Sequence, residues 1–245
     1  MLRFAGEAAG AHAKSALAIG AQGAYAFRNP PCFMNPNSLM PFAFIAFFLG
    51  LIGFAIVMIR RQQRQTLENL TKLANRLGLE LNRQPAKLGF EPTPSVEGRH
   101  RGRPVRFFAY TTGSGKSRRA WSAVSAAVPG AGAFVLELVP ENFLTRVATA
   151  LGMQDIQIGD PTFDRAFIVR SNDAASAAAA LLPEIRARLI AAFPRVFGGE
   201  LTVKAGAVRY AEGGGLGDAA CVARLEAMLE MVCDLAEVAE ALPAP

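Results

Sequence analysis

The chain has 245 residues, 51% of them hydrophobic and 19% charged, with a mean hydropathy of +0.24. That balance excludes a disordered chain and sets the protein apart from an ordinary soluble domain. The net charge is +6; three cysteines exclude a disulfide scaffold, and two histidines leave little for a histidine-rich metal site.

Residues 1–39 are rich in Ala and Gly, carry Arg3, Glu7, Lys14 and Arg28 as their charges, and read as a poorly structured tail. From Phe42 to Ile59 no side chain is polar or charged, and with Leu39, Met40 and Pro41 the run reaches the length that crosses a bilayer as a helix. Residues 40–59 are therefore predicted to span the membrane. Arg60, Arg61 and Arg64 follow at once, whereas the nearest base before the span is Arg28. This asymmetry predicts a single-pass protein of the cell inner membrane with its C-terminal domain in the cytoplasm.

Residues 60–81 read as a basic amphipathic helix beside the membrane. Leu67, Leu70, Ala74 and Leu77 share one face, Glu68 and Lys72 form an i,i+4 pair, and Gly78 stops the helix. The apolar stripe suits a dimer seam, packing on the domain, or the headgroup layer. Arg60, Arg61, Arg64 and Lys72 are the candidate membrane-surface contacts, each worth about 1 kcal/mol near anionic lipid. Pro85, Pro92 and Pro94 mark residues 82–95 as a linker.

Residues 96–242 form the predicted domain. Strands are expected at 105–110, 120–128, 133–139, 155–158 and 163–170, with a hairpin from 201–204 and 207–210. Helices are expected at 141–151, at 174–193 with a kink at Pro183, and from an N-cap at Asp218 to Leu242. The buried face of the last helix is predicted as Val222, Leu225, Leu229, Val232, Ala236 and Ala239. Cys221 and Cys233 on that helix lie about 18 Å apart along its axis, too far to bridge. Without regular βαβ alternation, the order implies an α+β fold on a mostly antiparallel sheet.

Candidate chemistry is sparse. Gly113-Ser114-Gly115-Lys116-Ser117 follows a strand, but Tyr110 stands where a phosphate loop needs its first glycine, so a polar hairpin tip is expected. Asp155, Asp160 and Asp164 match no calcium-loop spacing, and Asp160 before Pro161 is a natural turn residue. His100, the domain's one histidine, is flanked by Arg99 and Arg101 and is poorly placed as a base. No catalytic residue, metal site or cofactor is assigned.

Charge is the stronger signal. Residues 60–119 hold 14 basic and 4 acidic residues, net +10, and residues 120–245 hold 9 and 15, net −6. The basic part interleaves Phe107, Phe108 and Tyr110, yet no nucleic-acid-binding pattern is present and no nucleic acid is expected. On the last helix, Glu226, Glu230 and Asp234 recur at i,i+4, with Glu237 and Glu240 beyond. Like charges at that spacing are destabilising, so the stripe is a candidate partner-binding surface for a basic partner, the basic segment of the same chain among them. A solvated face is the alternative.

The segments EGRHRGRPVRF, IQIGDPTFDRAFIVRSND and LLPEIRARL resemble bacterial single-pass membrane proteins of uncharacterised function with a cytosolic α+β domain. The most specific part is Gly159-Asp160-Pro161-x-Phe163-Asp164-Arg165-x-Phe167, and the resemblance brings no activity or site residues with it. The expected function is a membrane-anchored, non-catalytic binding or scaffold module with the lipid bilayer, and a protein partner or a second copy, as its partners. The alternative is a membrane-tethered enzyme acting on an anionic substrate through Asp and Arg residues.

Overall fold

The structure is a computed structural model that describes residues 36–83, 93–129, 134–141, 154–193 and 198–242. The chain divides into two units, Met1–Leu51 and Ile52–Pro245. The described part of the first is helix; the second holds the sheet and the helices packed on it.

Helix α1 runs unbroken over Pro36–Leu77. Between Phe44 and Ile59 its side chains are exposed, Phe54 at 65%. Among the described residues it is the one helix long and apolar enough to cross a membrane. Every backbone group in such a stretch is bonded within the helix, which is the condition for lying in hydrocarbon. Past Thr66 the pattern changes, and Leu70, Leu73 and Ala74 are buried in the core of the domain. The apolar stripe is thus used within the chain. Gly78, at φ +65°, ends the helix in a left-handed turn, and the Leu79 N–H donates to the Ala74 carbonyl at 2.9 Å. This closure satisfies an end carbonyl and buries Leu79 beside Ala74.

Among the described residues the sheet has nine strands: β1 Glu80–Asn82, β2 Ser95–His100, β3 Arg103–Thr112, β4 Arg119–Ala127, β5 Leu136–Pro140, β6 Gln154–Ile156, β7 Phe167–Ser171, β8 Glu200–Lys204 and β9 Ala207–Gly213. Their order is β1-β2-β3-β4-β9-β8-β5-β7-β6, and neighbouring strands are antiparallel throughout. The register sets Leu81, Val96, Phe107, Val124, Tyr210, Leu201, Leu138, Val169 and Ile156 side by side from edge to edge. One residue along, the row reads Glu80, Glu97, Arg106, Ser125, Arg209, Thr202, Glu137, Arg170 and Asp155. A period of two, held in phase across nine strands, gives one apolar and one polar face.

Helix α5, Ala219–Ala241, packs on β4 and β9 over the apolar face, and all six residues of its predicted buried face are buried. Helices α3 (Ala174–Ala180) and α4 (Pro183–Ala192) pack on α5. Phe163, Phe167, Phe193 and Tyr210 form an aromatic chain with centroid separations of 5.0, 5.1 and 5.3 Å. Gly199 sits against it: an added Cβ would come within 2.8 Å of the Tyr210 ring.

The α+β architecture agrees with the sequence reading, and three local readings are corrected. Residues 163–170 are not one strand, because Pro161–Ala166 is helix α2 and only Phe167 onward is extended. The Asp160 carboxylate accepts from the Thr162 and Phe163 N–H groups and Pro161 opens the first turn, so helix start signals prevail over the aromatic pattern. Residues 174–193 are two helices rather than one kinked helix, since Leu182 before Pro183 is held extended at ψ 153°. Residues 82–95, read as a linker, end inside strands at both limits, with Asn82 paired to Ser95. The predicted helix at 141–151, the tail up to residue 35 and the middle of the linker lie outside the described residues.

Candidate functional site

A groove of about 610 Å³ opens where α1 leaves its apolar stretch. Its walls are α1 from Ile59 to Leu67, the ends of β3 and β4, and the glycine-rich loop Gly214–Gly217 that follows β9. Asn69 pins this loop to α1, donating through Nδ2 to the Leu216 carbonyl at 3.2 Å and the Gly217 carbonyl at 3.0 Å. Gly217 is glycine because the helix approaches so closely: an added Cβ would lie 3.0 Å from Thr66 Oγ1. Arg60, Arg64, Arg83 and Arg118 line the groove, and none of the described lining residues carries a carboxylate. Among the described residues, the side chains of these four arginines have no hydrogen bond or ion pair. Of the candidate membrane-surface residues, Arg60 and Arg64 line the groove, while Arg61 and Lys72 are exposed outside it.

The arginines farther from the membrane segment behave in the opposite way. Arg101, at the β2–β3 turn, reaches three carboxylates of α5: Asp234 at 2.6 Å, Glu237 at 2.8 Å and Glu230 at 3.2 Å. His100 Nε2 pairs with Glu230 at 2.7 Å, Arg103 with Glu240 at 2.6 Å, and Arg76 of α1 with Glu226 at 2.5 Å. Arg188 of α4 also binds Asp234. Glu226, Glu230 and Asp234, the candidate partner-binding residues, are therefore engaged by the chain's own bases. The hydrogen bond to His100 holds the Glu230 carboxyl below its usual range, and hydrogen bonds from Arg101 and Arg188 outweigh burial to do the same for Asp234.

No protein-family model matches the chain, and no curated protein matches it. Its fold resembles that of a solved mycobacterial protein. The likeness is to trehalose monomycolate transport factor A, TtfA, with a TM-score of 0.50 over 76% of this chain and 98% of that one. At 12% identity the likeness is one of fold.

The other sequence candidates have local structural roles. Asp155 pairs with Arg170 at 2.8 Å, Asp160 caps α2 and meets Arg186 at 3.2 Å, and Asp164 accepts from the Ile158 and Gly159 N–H groups. The Gly113–Ser117 segment forms the tip between β3 and β4, with a single 3₁₀ turn at Gly115–Ser117. Two features escaped the sequence reading. One is the loop Gly213-Gly214-Gly215-Leu216-Gly217, whose glycine density was a visible signal of close backbone approach. The other is Glu212, fully buried, which accepts from the Tyr210 hydroxyl at 2.9 Å and from two Arg224 nitrogens at 2.7 and 2.9 Å. Burial and the nearby Glu212 charge push the Cys221 thiol up to about 12. Glu212 gave no signal in sequence, because its partner lies on another element.

Proposed function

We propose that the protein is a single-pass, non-catalytic binding module of a bacterial inner membrane, with its domain on the cytoplasmic side, where it contacts anionic lipid and takes part in lipid traffic. The observation that carries this reading is the division of labour among the arginines. Those facing α5 are consumed by internal pairs, whereas those lining the groove at the end of the apolar helix have no partner, and the groove no acid, among the described residues. Unpaired guanidinium groups beside a bilayer are attracted to its anionic surface. The lipid-traffic setting is drawn from the fold neighbour, a transport factor for trehalose monomycolate. The resemblance of the GDPxFDRxF-type segment to bacterial single-pass proteins points the same way.

Two measurements test it. A reporter active only in the cytoplasm, fused after Pro245, gives signal in bacterial cells; signal only from an exported reporter overturns the topology. The purified full chain keeps its thermal midpoint when ATP or divalent metal is added. A clear upward shift with either moves the reading to an enzyme.

A further inference from the structure

The groove beside α1 differs from a merely basic surface. It is concave, at about 610 Å³ it falls in the size range of small-molecule sites, and it combines four arginines that have no partner among the described residues with amide and hydroxyl groups of Gln62, Gln63 and Thr111. Its far wall is backbone: Gly215 has nothing within 4 Å of where a Cβ would be, so that side stays open. Guanidinium groups with no carboxylate among the described lining residues suit a phosphate, which they bind through forked, charge-assisted hydrogen bonds. The helix that forms one wall enters the groove at Ile59, the last residue of the apolar run, so a ligand fixed in the same leaflet needs no desorption to reach it.

We infer that this groove is a binding site for the phosphate headgroup of a single anionic phospholipid. The inference rests on the membrane-module reading above and narrows it from a charged surface to a lipid site. Arg64 of α1 and Arg118, just before β4, hold the phosphate between them, with Arg60 and Arg83 contributing field. Tyr110 lines the same cavity, and Trp121, the one tryptophan of the chain, stacks on it at 6.4 Å and 12°. Occupancy therefore has a native optical reporter.

The test uses the full chain in phosphatidylcholine nanodiscs titrated with phosphatidylglycerol, read by Trp121 fluorescence and by lipid retained in native mass spectrometry. Expected is a saturable fluorescence change with one phosphatidylglycerol retained. Arg64→Gln with Arg118→Gln weakens it at least about tenfold. Gly215→Leu, which fills the groove and alters no charge, abolishes it. Arg61→Gln with Lys72→Gln, outside the groove, removes the same charge from the membrane surface and weakens it clearly less, with one phosphatidylglycerol still retained. Equal weakening by both charge pairs overturns the groove but keeps the charged-surface reading. No response of the parent chain to phosphatidylglycerol overturns both. An equal response to inorganic phosphate in phosphatidylcholine nanodiscs assigns the site to free phosphate and overturns the lipid. Unchanged circular dichroism shows that each variant is folded.

Discussion

Two hairpin turns place a side chain where glycine or asparagine is preferred. Arg101 and Gly102 have φ of 53° and 76°, and Ala205 and Gly206 have 52° and 72°, so both turns have positive φ at both central positions. For Ala205 nothing offsets the left-handed backbone, and Ala205→Asn is expected to raise stability by about 0.5–1 kcal/mol, read as a higher urea midpoint with unchanged slope. Arg101 differs, because it occupies the same conformation while holding three carboxylates. A strained backbone kept for a side chain with that many partners marks a residue chosen for its reach.

At the scale of elements, α5 is a helix whose exposed face needs its neighbours. Glu230 and Asp234 repel at i,i+4, and the β2–β3 hairpin reverses that penalty by laying His100 and Arg101 along them, with Arg103 on Glu240 about a turn and a half further. Arg101→Ala is expected to cost about 1–2 kcal/mol, the sum of several half-exposed pairs, whereas Arg101→Asn costs less because it relaxes the turn. Urea unfolding of the full chain in detergent separates the two; equal losses would mean that the turn is unstrained. The i,i+4 acids and the basic segment were both legible in the sequence, and the register that joins them was not. The same holds for α2: the aromatic spacing of Phe163 and Phe167 reads equally as strand or helix, and Asp160 with Pro161 decided it. Burial of α5 was legible because a wide apolar stripe leaves one solution.

At the scale of the molecule, net charge and pH follow from the same pairs. Glu97, whose carboxyl is lowered chiefly by the Ser95 hydroxyl, joins Glu230 and Asp234 in binding fewer protons when folded than when unfolded. The stability these groups add is complete above the ordinary glutamate value of 4.5 and is lost as pH falls through their lowered folded values. Glu137, buried beside Glu200, is shifted upward and opposes the trend in part. Urea midpoints are expected to hold from neutral pH to about 5 and then to decline, and Arg101→Ala should flatten the decline by returning its partners toward ordinary values. A flat parent profile would show that the α5 pairs add nothing. The +10 and −6 halves were plain in the composition. That the bases divide into a paired set and an open set required the fold, since partners such as Arg76 and Glu226 lie 150 residues apart.

The strand order has a consequence for synthesis. In the sheet, β9 and β8 lie between β4 and β5 and join two half-sheets, β1–β4 and β5–β7 with β6. Until residues 200–213 leave the ribosome, the facing edges of β4 and β5 have no strand to bond them together. At about 5–20 residues per second that wait is short, yet an open edge is the element most prone to pair with a foreign strand. The last hairpin acts as a keystone: the nascent chain holds two separate arches, and one late insertion makes them a single sheet.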